Sequence, residues 1–273
     1  MQKELKFQNK KVGYSIEGKG KPVMLVHGFA EDHRIWNKQV DHLKKNFRLI
    51  LPDLPGSGGS ELLEDVSMEN MAEALKAILR DAGVSACTMI GHSMGGYVTL
   101  AYAEKYPASL TAFSLFHSTA YADTEEKKEI RRKAIEFIKK NGVEAFLKSS
   151  VPNLFAGETT DHGRQTTDDS KQTMIQKLID DYKDFKAESL IAYYEAMIRR
   201  PDRIHVLKSF TKPILFLLGK YDTAVPYDRG IEQSKLAANA EVHTLYRSGH
   251  MGMWEEPEKS NLILEAFLKN NVR

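Results

Sequence analysis

A serine flanked by glycines is the residue of this sequence whose surroundings point most directly to chemistry. Residues 91–96 read GHSMGG, which matches the G-x-S-x-G pattern of a sharp strand-to-helix turn that exposes a serine hydroxyl at the top of a sheet. An apolar run ends just before this segment, and a helical pattern follows it to Tyr106. A side chain at Gly91 or Gly95 would collide with the neighbouring strand or helix. We therefore predict that Ser93 is a nucleophile.

A base and an acid must accompany such a serine, because its hydroxyl attacks only after a partner has taken the proton. With this motif the chain order is serine, acid, histidine. Asp222 follows the apolar run Ile214–Leu218, and His250 follows the predicted strand Glu241–Tyr246. Both lie in loops at the carboxyl ends of strands, where a sheet of this kind has its ligand site. His250 is accordingly predicted as the base and Asp222 as the acid that orients it.

Other acids and histidines have weaker claims to these roles. Asp53 also follows a strand, but it precedes Ser93 in the chain and lies beside a turn rich in proline and glycine. A role in stabilising that turn is expected for it. Structural roles are expected for His27 and His92, and a surface or packing role for His162.

Strands and helices alternate along much of the chain, which predicts a mostly parallel sheet covered by helices on both sides, the doubly wound α/β class. Pro107 is expected to stop the helix that follows Ser93. The predicted strands not yet named are Val23–His27, Phe47–Leu51, Ala86–Ile90 and Leu110–Phe116. The further predicted helices are one with N-cap Ser67 that ends at Gly83, one near Ile231–Ala238, and one over Leu262–Leu268.

The alternation stops after the fourth of these strands, and residues 118–203 are polar and helical in pattern. We predict that this segment is a helical cap, or lid, inserted at the carboxyl edge of the sheet. Residues 1–117 and 204–273 would then form the α/β core.

Composition restricts the classes of partner. The 273 residues carry a formal net charge of +2, so neither nucleic acid nor an anionic membrane is an expected partner. The sequence shows no phosphate-binding glycine motif and no paired metal-ligand spacing, so no metal and no organic cofactor are expected. The amino terminus has no signal-peptide pattern. A cytoplasmic monomer or homodimer acting on a small molecule is expected.

Together these segments resemble the α/β-hydrolase superfamily. The resemblance rests on His27-Gly28-Phe29, on residues 53–60, on residues 91–96, on Tyr221-Asp222 and on Gly249-His250, and it covers nearly all of the chain except the lid. Within the superfamily the chain looks like the branch that holds carboxylesterases, carbon–carbon bond hydrolases and haloperoxidase-like enzymes. The resemblance implies an α/β-hydrolase fold and an oxyanion hole built from the backbone N–H groups of Phe29 and Met94.

The predicted activity is hydrolysis of carboxylic esters of small or medium molecules through an acyl-enzyme. One alternative is a carbon–carbon bond hydrolase of vinylogous diketones; such enzymes often carry asparagine before the nucleophile, where this chain has His92, and esters are therefore favoured. A second alternative is a ligand-sensing receptor that keeps the fold. The residues expected as possible apolar walls of the pocket are Phe29, Trp36, Tyr121, Phe146 and Phe155.

Overall fold

The structure is a computed structural model that describes residues 1–157 and 169–271. Its sheet contains eight strands within the described residues. They are β1 (Gln2–Phe7), β2 (Lys10–Glu17), β3 (Lys21–Val26), β4 (Phe47–Pro52), β5 (Cys87–His92), β6 (Leu110–Phe116), β7 (Ile214–Gly219) and β8 (Ala240–Leu245).

The strand order across the sheet is β1-β2-β4-β3-β5-β6-β7-β8. The pairs β1–β2 and β2–β4 are antiparallel, and all the other pairs are parallel. The predicted parallel sheet is thus confirmed, with an antiparallel extension at one edge. The central strands β5 and β7 are buried along their whole length, as expected for strands covered by helices on both faces.

Ten α-helices lie in the described residues, some packed against the sheet and others in the insertion between β6 and β7. They are α1 (Asn37–Leu43), α2 (Met68–Asp81), α3 (Met94–Lys105), α4 (Glu125–Ser150), α5 (Asp169–Tyr182), α6 (Ala187–Arg199), α7 (Ile204–Ser209), α8 (Tyr227–Ser234), α9 (Gly252–Glu255) and α10 (Pro257–Asn271). Ser67 caps α2 as predicted, because its hydroxyl accepts a hydrogen bond from the amide of Asn70. In the described part of the chain, no helix is long and apolar enough to cross a bilayer.

One predicted helix is displaced. The helix expected near Ile231–Ala238 occupies Tyr227–Ser234, because Pro226 provides a helix start four residues earlier than the apolar pattern indicated. Leu236 and Ala237, which carried that pattern, lie after the helix and pack against the core.

A helical insertion made of α4, α5 and α6 lies between β6 and β7. The long helix α4 is kinked at Gly142, where φ is +82° and ψ is 172°. The two ends of the insertion are joined by Asp123, which accepts hydrogen bonds from Arg131 Nε at 2.5 Å and Arg200 Nη2 at 2.9 Å. All three of these side chains are largely buried. The division into a core and a cap at residues 118 and 203 stays a prediction, and part of the predicted cap, with His162, lies outside the described residues.

Candidate functional site

Ser93 occupies a strained turn between β5 and α3. Its φ of +50° and ψ of −117° lie in a region that costs a non-glycine residue about 1–3 kcal/mol. A Cβ atom on Gly91 would lie 2.5 Å from both the carbonyl oxygen of Gly95 and the hydroxyl of Thr99, and a Cβ on Gly95 would overlap the carbonyl oxygens of Val26 and His27. The close approach of strand and helix therefore requires glycine at both positions, as the sequence predicted.

The three predicted side chains meet at the carboxyl edge of the sheet. The hydroxyl of Ser93 lies 2.8 Å from His250 Nε2, and His250 Nδ1 lies 2.8 Å from Asp222 Oδ2. Asp222 and His250 are only 6% and 4% exposed. With Nδ1–H donating to the carboxylate, Nε2 is left as an acceptor that faces the serine hydroxyl. This is the tautomer that a general base needs.

The carboxylate of Asp222 is held from its other side by backbone amides. Its Oδ1 accepts hydrogen bonds from the N–H groups of Ala224 and Val225, both at 2.8 Å. Burial acts to raise the pKa of Asp222, but the neighbouring His250, together with the amide of Val225, outweighs burial and holds the pKa below its usual value. Asp222 is therefore kept ionised with one oxygen aimed at His250.

A second histidine lies behind this carboxylate. His117 follows β6, is fully buried, and has an unusual positive φ of +50°. Its Nδ1 accepts a hydrogen bond from the amide of Gly219 at 3.0 Å, so this nitrogen carries no proton toward Asp222, 3.5 Å away. Burial holds the pKa of His117 well below its usual value. His117 is thus a neutral packing partner of the Asp222 loop.

The loop that carries His250 is anchored to the helical insertion. The amide of His250 donates to the carbonyl of Leu154 at 2.6 Å. The carboxylate of Glu255 accepts hydrogen bonds from the amides of Gly249 and Met251 and, through its other oxygen, from the amide of Ala156. Burial raises the pKa of Glu255 to about 7, against the lowering effect of these three amides. The position of the His250 loop therefore depends on residues 154–156 as well as on the core.

The two backbone amides expected to form an oxyanion hole lie on neighbouring loops. Phe29 follows β3 and Met94 begins α3, and β3 pairs directly with β5. A Cβ on Gly28 would lie only 3.2 Å from the Cβ of Ser93, so the loop that carries Phe29 closely approaches the serine. The amide of Met94 lies in the first turn of α3, where N–H groups have no acceptor within the helix.

A small apolar cavity of about 100 Å³ lies beside these loops. Phe29 and Met251, the neighbours of Gly28 and His250, form part of its wall, and Tyr194 stacks on Phe29 with 4.3 Å between ring centroids. Of the five predicted pocket residues, Phe29 and Phe146 line this cavity, and Tyr121 lines another depression of the surface. Trp36 and Phe155 are buried in the core.

The structure also shows what the rival residues do. His27 accepts the amide of Leu54 at Nε2, at 2.9 Å, in keeping with a structural role. Asp53 accepts hydrogen bonds from the amide of Gly59 and from His33 Nδ1, and so it stabilises the turn that follows β4, as expected. His92 lies fully buried beneath the turn at Ser93.

One group of side chains offers atoms that a metal ion could bind. Ligand atoms of Asp32, His33 and Asp53 lie within 4.8 Å of one another in the described part of the chain. Asp32, however, already binds the guanidinium of Arg34 through three hydrogen bonds, and His33 Nδ1 bonds Asp53 at 2.7 Å. A cation would have to displace Arg34, so these residues do not fit a metal site.

Sequence reasoning missed Glu31, Glu255 and the role of His117. Glu31 lies in the loop after β3, and its Oε2 accepts the amide of Gly28 at 2.7 Å and lies 3.2 Å from His92 Nδ1. A carboxylate three residues beyond a glycine in a loop at a strand end is a usable signal, because such a side chain can reach back to the backbone amide. Glu255 lies inside a helix and has no such local signal.

A model of the α/β hydrolase fold matches residues 21–257 of the chain. The chain belongs to the α/β hydrolase fold family. It is 26% identical to a solved thermophilic esterase from Thermogutta terrifontis, with a TM-score of 0.90 and complete coverage of both chains.

Curated relatives in this family carry several different names. A 2-hydroxy-6-oxononadienedioate/2-hydroxy-6-oxononatrienedioate hydrolase of Paraburkholderia phymatum is 27% identical, over 94% of this chain and 91% of its own. A 3-oxoadipate enol-lactonase of Acinetobacter baylyi is 25% identical, over 96% of this chain and 95% of its own. The relatives therefore support a hydrolase of the α/β fold, with esterase as one of several activities among them.

Proposed function

We propose that the protein is a serine hydrolase that cleaves carboxylic esters of small or medium molecules through an acyl-enzyme. The observation that carries this proposal is the continuous hydrogen-bonded line from Ser93 through His250 to Asp222, with 2.8 Å at each step. The esterase from Thermogutta terrifontis, similar over the full chain, supports ester cleavage among the activities of the family.

In the proposed reaction His250 takes the proton of Ser93 as the serine oxygen attacks the ester carbonyl. The carbonyl oxygen becomes an oxyanion that the amides of Phe29 and Met94 stabilise. His250 then gives its proton to the leaving alcohol, and water, activated by His250 in the same way, releases the acid. Asp222 stays ionised throughout and stabilises the imidazolium that forms in each half of the cycle. Each amide of the hole contributes about 3 kcal/mol of transition-state stabilisation.

The apolar cavity indicates the size of the group that the site accepts. The cavity is small, with a volume of about 100 Å³. The aromatic and aliphatic lining favours a short uncharged chain there. We therefore expect p-nitrophenyl acetate and butyrate to be better substrates than octanoate.

The decisive experiment replaces the nucleophile. Ser93→Ala should abolish labelling by a fluorophosphonate and the burst of p-nitrophenol from p-nitrophenyl acetate. Ser114→Ala is the matched control, because Ser114 is a buried serine on β6 whose hydroxyl has no hydrogen-bond partner among the described residues. A Ser93→Ala protein that kept most of its turnover would refute the proposal. A ring-fission product assayed in parallel tests carbon–carbon bond cleavage, and faster turnover of that compound than of any ester would favour the alternative.

A further inference from the structure

His92, which precedes the nucleophile, faces two hydrogen-bond acceptors. Its Nδ1 lies 3.2 Å from Glu31 Oε2, and its Nε2 lies 3.0 Å from the backbone carbonyl oxygen of His250. A carbonyl oxygen has no proton to give, and an ionised carboxylate has none either. With Glu31 ionised, both ring nitrogens act as donors, which only the doubly protonated, positively charged imidazolium can do.

Glu31 is the corresponding negative charge. Its Oε2 also accepts the amide of Gly28 at 2.7 Å, and Glu31 is 6% exposed. Burial of an unpaired charge is costly, whereas a paired and hydrogen-bonded one is tolerated. Burial opposes charge on both residues, yet the pKa of Glu31 is lowered by His92 and the pKa of His92 is raised by Glu31.

The partners of this pair belong to the three loops of the proposed mechanism. Gly28 precedes Phe29 in the oxyanion loop, His92 precedes Ser93, and the carbonyl that His92 binds belongs to His250 itself. A Cβ on Gly28 would lie 3.0 Å from His92 Nδ1 and 3.1 Å from Glu31 Oε2, so the loop is packed tightly onto the pair.

We propose that Glu31 and His92 form a buried ion pair that positions the oxyanion loop and the backbone of His250 for the proposed hydrolysis. Glu31 fixes the amide of Gly28 and hence the neighbouring peptide of Phe29. His92 fixes the carbonyl of His250 from below. The two residues touch no substrate and act only through these groups, so they are positioning residues. This inference rests on the proposed function.

Other titratable groups surround the pair and must be considered in its pH dependence. The centroid of the His92 ring lies 5.0 Å from that of His250 and 6.2 Å from that of His117. The charge of Asp222 also acts to raise the pKa of His92. Glu31 is also influenced by His27. Within this group Glu31 is the carboxylate in direct hydrogen-bond contact with His92, so its removal should change the protonation of His92 most.

The first test reads the charge of His92 without any activity assay. In ¹⁵N NMR spectra recorded above about pH 6.5, where a free histidine becomes neutral, His92, assigned by comparison with a His92→Gln variant, should still show an imidazolium. In Glu31→Gln the same ring should be neutral at that pH. A neutral His92 ring in the unaltered protein would overturn the proposal, even if Glu31→Gln failed to fold.

The second test reads catalysis. Glu31→Gln should lower kcat for p-nitrophenyl acetate by about 10- to 100-fold with little change in KM, as expected when reacting groups move by a fraction of an ångström. Its kcat–pH profile should gain a step that reports His92. The double variant Glu31→Gln/His92→Gln should have a kcat no lower than that of the less active single variant, because the two residues act as a unit. Additive losses, or a Glu31→Gln profile that superimposes on that of the unaltered protein, would overturn the positioning role.

Asp32→Asn is the matched control. It removes another buried carboxylate from the same loop, one that accepts hydrogen bonds from Arg34 and from the hydroxyl of Tyr182 instead of from His92 and Gly28. It should change thermal stability without adding a step to the kcat–pH profile. The two proposals are tested by different results. Retained turnover in Ser93→Ala would refute the hydrolase mechanism, whereas the charge of His92 is measured by NMR and does not depend on turnover.

Discussion

Asp222→Asn removes one charge and almost no volume from the site, and the structure fixes how the new amide would orient. Asp222 accepts three hydrogen bonds, two at Oδ1 from Ala224 and Val225 and one at Oδ2 from His250. Asparagine has one carbonyl oxygen. Pointing it at the two backbone amides keeps two bonds; pointing it at His250 keeps one and sets the NH₂ group against two N–H groups.

The second orientation makes two hydrogen bonds fewer, because in the first the NH₂ group also faces His250 Nδ1, and it leaves the N–H groups of Ala224 and Val225 unsatisfied, which together cost at least about 3 kcal/mol. The NH₂ group of the introduced asparagine will therefore face His250 Nδ1 in more than about 99% of molecules. Nδ1 then becomes the acceptor and Nε2 carries the proton, so the ring cannot accept the proton of Ser93. With the lost stabilisation of the imidazolium added, kcat should fall by about 10,000-fold, or about 5.4 kcal/mol.

The assay is burst and steady-state hydrolysis of p-nitrophenyl acetate together with the rate of fluorophosphonate labelling. The kcat of Asp222→Ala should be no lower than that of Asp222→Asn, because alanine imposes no tautomer on the His250 ring. Asp228→Asn is the control, an exposed aspartate six residues along the chain on α8, and it should remain within about twofold of the unaltered rate. An Asp222→Asn protein with more than about a tenth of the original kcat would show that the tautomer argument is wrong.

Three further perturbations test other parts of the structure. Gly91→Ala places a Cβ 2.5 Å from a backbone oxygen and should cost about 1–3 kcal/mol of stability and about 100-fold in kcat, as measured by urea unfolding and ester turnover. Leu178→Ala enlarges the apolar cavity and should shift the preferred acyl chain to longer esters by about two carbons, at a stability cost of about 2–5 kcal/mol. Asp123→Asn leaves Arg131 and Arg200 without their buried anion and should destabilise the protein by about 3–5 kcal/mol at neutral pH.

The effect of Asp123→Asn on the free energy of unfolding should depend on pH with a definite sign. The two arginines outweigh the effect of burial and hold the pKa of Asp123 below its usual value. The stabilisation is therefore complete above the pKa of the unfolded chain and is lost as pH falls through the lower folded value. The difference in free energy of unfolding between the two proteins should shrink below about pH 4.

Matched control substitutions distinguish these effects from a general loss of stability or activity. Gly157→Ala introduces a Cβ that meets no atom of the described residues within 4 Å and should leave turnover intact, so an equal loss there would contradict the argument for Gly91. Leu207→Ala removes a fully buried leucine away from the cavity, and a similar shift in chain length with that variant would exclude the cavity as its cause. If the stability deficit of Asp123→Asn did not begin to shrink as pH fell below about 4, the loss would not come from charge.

The sequence predicted those parts of the fold whose signal is local and strong. Buried parallel strands are continuous apolar runs, so Leu110–Phe116 was predicted to the residue. The antiparallel strands β1 and β2 were not predicted. In β1 the partly buried face consists of Lys3, Leu5 and Phe7, of which only two are apolar, and the buried stretch of β2, residues 12–15, includes a glycine and a serine, so neither strand is a continuous apolar run. The start of α8 was misplaced, since Pro226 determined it and the apolar positions did not.

The candidate site could be predicted as far as its side chains lie at strand ends within three residues of a glycine. Ser93, Asp222 and His250 all meet that condition, and the structure brings them together. Glu31 binds an amide of its own loop, so its signal is local and was overlooked. Glu255 also binds the amide of Ala156, 99 residues away. That contact depends on how distant loops pack against one another, and no periodicity or motif in one sequence records it.

The anchoring of His250 to Leu154 has a consequence for attempts to broaden the range of substrates. Truncating the helices above the sheet would give bulky molecules more room, but it would also remove the carbonyl that the amide of His250 binds and release Ala156 from Glu255. Engineering that keeps residues 150–157 and varies only α5 and α6 would change the space available to the substrate without moving the His250 loop.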